Sequence, residues 1–366
     1  MRRILTMRDV EAALKGGAVF AAGGGGFADH GRVLGLAAIN AGQPELVTMD
    51  EVPDDAFIAT AAAIGAPAGS TQWQMLGVDY VKAVELVQRE LGAPIYGLMI
   101  GQNGKSSTLN GWLPSAVLGT KVIDAVGDLR AHPTGDMGSI GLANSPEPTI
   151  QSAVGGNRAN SAYIELVVRG ATAKVSPILR RAADMSGGFI ASCRNPVRAA
   201  YVKKHAALGG ISLALALGEA IIAAEPKGGT AVIDAICQQM RGEVIGSGKV
   251  KRKAVEYTSD AFDVGIVEID ADNGCVLHVM NEYMAVEDAS KKRLASYPDV
   301  IATLNPDGAP VSVGEISEGM ELLVLRIAKA VIPLSSSVTD PSVYGVCEKV
   351  LGINLTDYAL GRGSPS

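Results

Sequence analysis

Residues 124–136 crowd Asp124, Asp128, Arg130, His132 and Asp136 into one short stretch, although the chain has only four histidines. Carboxylates beside a histidine and an arginine shift one another's proton affinity, which yields an acid or base usable near neutrality. The same groups are ligands for a divalent metal such as zinc, with Asp124 and His132 the candidates. A turn with a capping Asp and a satisfied His is the structural alternative.

Asn281-Glu282, just past an apolar segment at 275–280, places an amide and an acid at a strand end. Gln102-Asn103-Gly104 and Asn110-Gly111 offer amides that suit an imide or carboxamide ligand, and equally suit turns. Asp299, in Tyr297-Pro298-Asp299, is a further polar candidate in a turn-like setting. Cys193 next to Arg194 reads either as a nucleophile or as a buried small hydrophobe.

Gly23, Gly24, Gly25 and Gly26 form a loop in which only backbone can stand, and a helix begins soon after, near His30 or Gly31. Such a loop brings N–H groups and a positive helix end to a carboxylate or phosphate. Gly24, Gly25 and Gly26 are therefore candidate substrate contacts. Gly23, Gly25 and Ala28 with Asp50 also fit a loose dinucleotide fingerprint, so an NAD-dependent oxidoreductase is an alternative. There is no Gly-x-Ser-x-Gly, Walker loop or His-Glu-x-x-His.

The elements that must position these residues alternate. Residues 18–22, 45–49, 57–64 and 94–100 read as strands, while 31–40 and 78–90 read as helices; another helix and strand follow, ending at Asp124. This order predicts an α/β fold with a largely parallel sheet whose ligands bind at the carboxyl ends of the strands. Residues 197–224 read as helical, with 206–224 a buried helix rather than a membrane span because Glu219 interrupts it. From about 242 to 330 short strands and turns make a β-rich module, and 361–366 reads as a frayed tail.

Composition narrows the partners. The net charge of −6 gives no basic footprint for nucleic acid. Hydrophobic residues make up 48% of the chain and aromatics 4%, a composition for aliphatic cores of helices on sheets. The four cysteines have no paired spacing, and the basic start lacks a continuous apolar core, so reduced thiols and a cytoplasmic enzyme are expected. Neither nucleic acid nor membrane is an expected partner, and a homo-oligomer is compatible with the sequence.

Taken in order, the motifs resemble the S-methyl thiohydantoin desulfurase family, once a domain of unknown function found beside hydantoinase and oxoprolinase genes. The resemblance runs through Gly23 to Gly26 with Gly31, Gly65-Ala66-Pro67, Asp124-Ala125, Gly127, Arg130-Ala131 and Pro133. It continues through Gly187-Gly188, Gly210-Ile211-Ser212, Gly248-Lys249-Val250, Asn281-Glu282 and Pro298-Asp299. Val126 and Thr134 stand where the family has acidic residues. The resemblance implies an N-terminal α/β domain over 1–167 and an α+β C-terminal domain over 168–366. It also implies a hydrolase acting on hydantoin-like rings, in which a thiol or amine leaves an amidine-type carbon. On that reading His132 or Asp124 is the base or a metal ligand, Arg130 the clamp on an oxyanion or carboxylate, Glu282 the acid, and Asn281 the group that orients the ring. A non-catalytic accessory subunit of a hydantoinase system is the alternative.

Overall fold

The structure, a computed structural model, describes residues 2–66 and 72–362; Pro67 of the Gly65-Ala66-Pro67 motif and the last four residues of the tail lie outside the described residues. The first sheet contains β1 (Arg2–Ile4), β2 (Glu45–Val47), β3 (Phe57–Gly65), β4 (Gly97–Gln102), β5 (Lys121–Asp128), β6 (Thr149–Gly155), β7 (Ile164–Gly170), β8 (Phe189–Arg198) and β9 (Ala207–Leu208). Helices α1 (Met7–Phe20), α2 (Ala28–Ala41), α3 (Gly77–Leu91), α4 (Trp112–Leu118), α5 (Thr172–Met185), α6 (Ala199–His205), α7 (Gly210–Ala224) and α8 (Gly229–Met240) surround it. The second sheet contains β10 (Glu243–Tyr257), β11 (Asp263–Asp270), β12 (Cys275–Met280), β13 (Glu282–Glu287), β14 (Arg293–Ser296), β15 (Val300–Leu304), β16 (Pro310–Val311) and β17 (Glu321–Ile327). Helices α9 (Gly345–Leu351) and α10 (Thr356–Ala359) end the chain.

The first sheet runs β1-β2-β5-β4-β3-β8-β6-β7, with β9 beside β5. Its centre, β2-β5-β4-β3, is parallel, as crossover helices require, while β1, β8, β6 and β7 join antiparallel. The second sheet is antiparallel in the order β14-β13-β12-β11-β10-β17-β15-β16. The α/β architecture with a separate β-rich module is thus the observed one. The first sheet continues beyond residue 167, because β8 lies between β3 and β6.

One expected element changes type. Residues 18–22 are the last turn of α1 and the reversal after it, not a strand. Thr6 starts α1 by donating its N–H (2.8 Å) and its hydroxyl (2.7 Å) to the Asp9 carboxylate. The helical period is hidden because α1 is buried on most sides: Gly16 and Gly17 let the α7 backbone and the Gly104 loop approach where a Cβ would collide. Phe20 and Val19 then join Leu217, Ile221 and Ile236 from α7 and α8, and Val300 and Leu325 from the second sheet, in one core. That core locks the two sheets together, and the site lies beside it.

The buried helix expected at 206–224 is α7, preceded by a break at Gly209, whose φ is 77°. Among the described residues no helix is long and apolar enough to cross a membrane.

Candidate active site

A cavity of about 420 Å³ opens at the carboxyl ends of β3 and β4, facing the hairpin of β12 and β13. This is where a parallel sheet with crossover helices places ligands. Its floor carries Thr60, Gln102 and Arg194, its sides carry His132, Asp136 and Arg180, and Asn281 and Glu282 come from the second sheet.

Glu282 occupies the seat made by the glycine loop. The chain reverses between β12 and β13 at Asn281, whose φ of 56° is a conformation asparagine tolerates better than most residues. Glu282 then turns inward until a Cβ on Gly24 would collide with its carboxyl, and the Gly25 backbone bonds to it. The next residue fixes the approach, because Tyr283 N–H donates to Ala22 C=O at 2.8 Å and the Tyr283 ring fills the space beside Gly23. The loop does hold an anion-forming group, and that group is the protein's own. Because the loop follows a helix rather than a strand, and Glu282, Tyr283 and Ser106 fill its surroundings, the dinucleotide reading is corrected.

Burial pushes the Glu282 carboxyl up to about 8, with Arg130 and Arg180 opposing the shift, and its Oε2 has no hydrogen-bond partner among the described residues. Burial pushes His132 down to about 4, so its imidazole is neutral. His132 Nε2 lies 3.4 Å from Gly101 C=O and its buried Nδ1 has no partner. A ring proton on Nε2 meets the Gly101 carbonyl.

Two buried arginines complete the wall. Arg180 donates to Ala261 C=O at 3.0 Å and Pro133 C=O at 2.6 Å, and lies 4.1 Å over the Phe262 ring. Arg194 donates to Gln151 Oε1 at 2.8 Å and Ser176 Oγ at 3.1 Å, and Ser176 donates in turn to Asp136 at 3.3 Å. Burial lowers both guanidiniums to about 10, and burial raises Asp136 against the pull of Arg194. At neutral pH both arginines remain charged.

The residues singled out in the sequence divide into two groups. His132, Glu282, Asn281, Gly25 and Gly26 line the cavity, with Gly24 directly behind Glu282. Asp124, Arg130, Asn103 and Asp299 are internal struts. Asp124 caps α7, accepting from Ile211 N–H and Ser212 N–H at 3.0 Å each and from Ser212 Oγ–H at 2.5 Å. Arg130 is fully buried and donates to the carbonyls of Ala131 (2.9 Å), Asp299 (2.9 Å) and Tyr283 (2.8 Å). Asn103 donates to Leu129 and Gly210 carbonyls, both at 3.1 Å. Asp299 accepts from Arg326 (2.8 Å), Lys329 N–H (2.8 Å) and Tyr358 OH (2.7 Å).

The metal candidates do not come together. Asp124 is consumed by its cap, and among the described residues no three His, Cys, Asp or Glu side chains could hold a metal ion. Cys193 is buried on β8 and burial raises its thiol to about 12, which makes it a core residue rather than a nucleophile. Replacing Asp124 with Ala strips two N–H groups of their acceptor and lowers stability by about 2 kcal/mol. Urea unfolding should show that loss, with ring affinity of the folded protein unchanged.

Arg180, Asn195 and Ser176 were not apparent from the sequence. Arg180 sits on the amphipathic α5 among Arg181 and Asp184 and reads as surface charge. Asn195 and Arg194 do break an apolar strand, and that break was the available signal.

A family model described as S-Me-THD-like, N-terminal domain, matches residues 8–163, and one described as S-Me-THD-like, C-terminal domain, matches residues 171–345. A crystal structure of a protein from Chromobacterium violaceum, from a structural genomics consortium, is similar in fold with a TM-score of 0.70 at 21% identity, over 96% of each chain. Comparison with curated proteins gave no match. With both family models matched in order along nearly the whole chain, the protein belongs to the S-methyl thiohydantoin desulfurase family.

Proposed function

We propose that the protein is a hydrolase of hydantoin-like five-membered rings, in which water displaces a thiol or amine from an amidine-type carbon. Glu282 carries this reading: a buried carboxyl, protonated at neutral pH, with an unpartnered oxygen at the wall of a cavity that also presents Arg180 and Arg194.

For an S-methyl ring, the Glu282 acid gives its proton to the ring nitrogen of the C=N bond, making the carbon electrophilic. The Glu282 carboxylate then takes a proton from water as the water oxygen bonds to that carbon. The tetrahedral carbon now carries OH and SCH3. Glu282 passes its proton to sulfur as the C–S bond breaks, and receives the hydroxyl proton as the new C=O forms. The ring gains an oxygen and an N–H, methanethiol leaves, and the carboxyl is restored. Arg180 and Arg194 take the oxyanion and carbonyl role first given to Arg130. His132, an imidazole held near 4, is too weak a base to take the proton.

The accessory-subunit reading rests on Val126 and Thr134, which replace acidic residues of the family pattern. Val126, however, packs in the core against Gly210, so only Thr134 faces the cavity. A screen of hydantoins, thiohydantoins and S-methyl derivatives, with thiol trapping and with or without added zinc, separates the two. Thiol released without added metal supports the hydrolase; ring binding with no turnover under any condition supports the accessory subunit.

The reaction needs protonated Glu282, so kcat/KM should fall as pH rises through about 8. Stability follows the same group. Its folded value lies above the ordinary 4.5, so the folded protein holds the extra proton between about 4.5 and about 8. That contribution is full below about 4.5 and is lost as pH rises through about 8. Relative to Glu282→Gln, the wild type should lose roughly 2–5 kcal/mol between about pH 5 and about pH 9. Denaturant midpoints at several pH values check this.

A further inference from the structure

Besides Asn110, three side-chain amides reach the cavity from different elements: Gln102 at the end of β4, Asn195 on β8, and Asn281 between β12 and β13. In each, the oxygen is already occupied. Gln102 Oε1 accepts from His132 N–H at 3.0 Å, Asn195 Oδ1 from Gln151 Nε2 at 3.0 Å, and Asn281 Oδ1 from Asp263 N–H at 2.9 Å. An amide whose oxygen is pinned to a donor cannot turn over without losing that bond, so its NH2 is the end left for a ligand. Among the described residues none of these three NH2 groups has a protein acceptor, and none is a sealed, unsatisfied donor. Asn195 and Asn281 also hold φ values of 51° and 56°, a backbone cost that cavities with a positioning task often retain.

We propose that Gln102, Asn195 and Asn281 form a donor-only wall that reads the hydrogen-bond polarity of the ring, selecting rings whose amidine nitrogen is bare and whose edge is all acceptor. This inference rests on the ring-hydrolase reading. In an S-alkylated ring the C=N nitrogen carries a lone pair and no hydrogen, and the neighbouring carbonyl adds two more lone pairs. In hydantoin, and in thiohydantoin with free sulfur, the same nitrogen carries N–H. That N–H would meet an amide N–H, leaving two buried donors unsatisfied. Glu282 puts its proton on that nitrogen in place of the amide hydrogen bond, so the N–H formed in the reaction faces donors; the wall therefore favours substrate over product and assists release of the hydantoin.

The test uses the full-length wild-type protein and a ring that cannot react: a 2-ethyl-imidazol-4-one, in which carbon replaces sulfur and the bare nitrogen is kept. Its affinity is compared by calorimetry with that of the hydantoin bearing the same substituent. The imidazolone should bind tenfold or more tightly. Gln102→Glu and Asn195→Asp each turn a donor into an acceptor while keeping the oxygen that meets His132 N–H or Gln151, and each should reduce the preference to threefold or less. Asn281→Asp, compatible with a positive φ, provides a third variant should either of those fail to fold. Equal or tighter binding of hydantoin by the wild type overturns the proposal, as does an unchanged preference in folded variants. Thiol release is scored separately: turnover without this preference removes the wall alone, and the preference without turnover removes the hydrolase alone.

Discussion

Glu282→Gln should abolish thiol release, lowering kcat by about 10²–10⁴-fold while leaving ring affinity within a few fold of wild type. Glutamine fits the same seat against Gly24 and can accept the Gly25 backbone bond, so the loop has no steric reason to move. It has no transferable proton. Each bond change of the proposed cycle exchanges a proton with this one carboxyl; His132 is too weak a base to replace it, and Cys193, raised to about 12, is in the core. Single-turnover measurements separate loss of chemistry from slow product release. Retention of even a tenth of the wild-type rate would place the proton transfer elsewhere.

Arg130→Met should produce the largest loss of stability of any residue named here, about 3–5 kcal/mol. The guanidinium is fully buried and joins three chain segments through the carbonyls of Ala131, Tyr283 and Asp299. It also lies 5.2 Å over the Tyr297 ring, and the Tyr297 hydroxyl donates to Asp128 at 2.5 Å. Methionine fills much of the volume and satisfies none of the carbonyls. Asp128, pushed up to about 6 by burial, and Glu282 would both lose a nearby positive charge. Glu282 should titrate higher still, so the alkaline limb of the pH–rate profile moves upward in whatever fraction stays folded. Chemical denaturation and that profile check the two halves of the prediction. An unchanged midpoint would mean that the buried guanidinium is no strut.

α3 and β12 were legible because apolar residues recur or alternate at their own periods with polar residues between, and β3 because it is a short apolar run interrupted only by Thr60. The end of α1 looked like a strand because close packing against α7 removed the polar face that marks a surface helix. The site was half legible for a related reason. His132 and Asn281 stand in turns after strands and Glu282 opens β13, and all three line the cleft. Asp124 and Arg130 carry the same chemistry in the same segment but point into the interior, and residue type does not reveal that direction. Asp124 lies mid-strand in β5, four residues before the strand ends, which places its side chain at the N-terminus of α7 rather than in the cleft. Arg180 was missed because its functional contacts, with Pro133 and Ala261, come from segments far away in sequence.

The central claim is that water adds to the amidine carbon in this cavity and the thiol departs. Turnover of an S-methyl thiohydantoin in water enriched in oxygen-18, followed by mass spectrometry of the ring, tests it most directly. The account predicts one heavy oxygen in each hydantoin formed and one methanethiol per ring. Thiol release without label in the ring, or label appearing only in a ring-opened product, would contradict it.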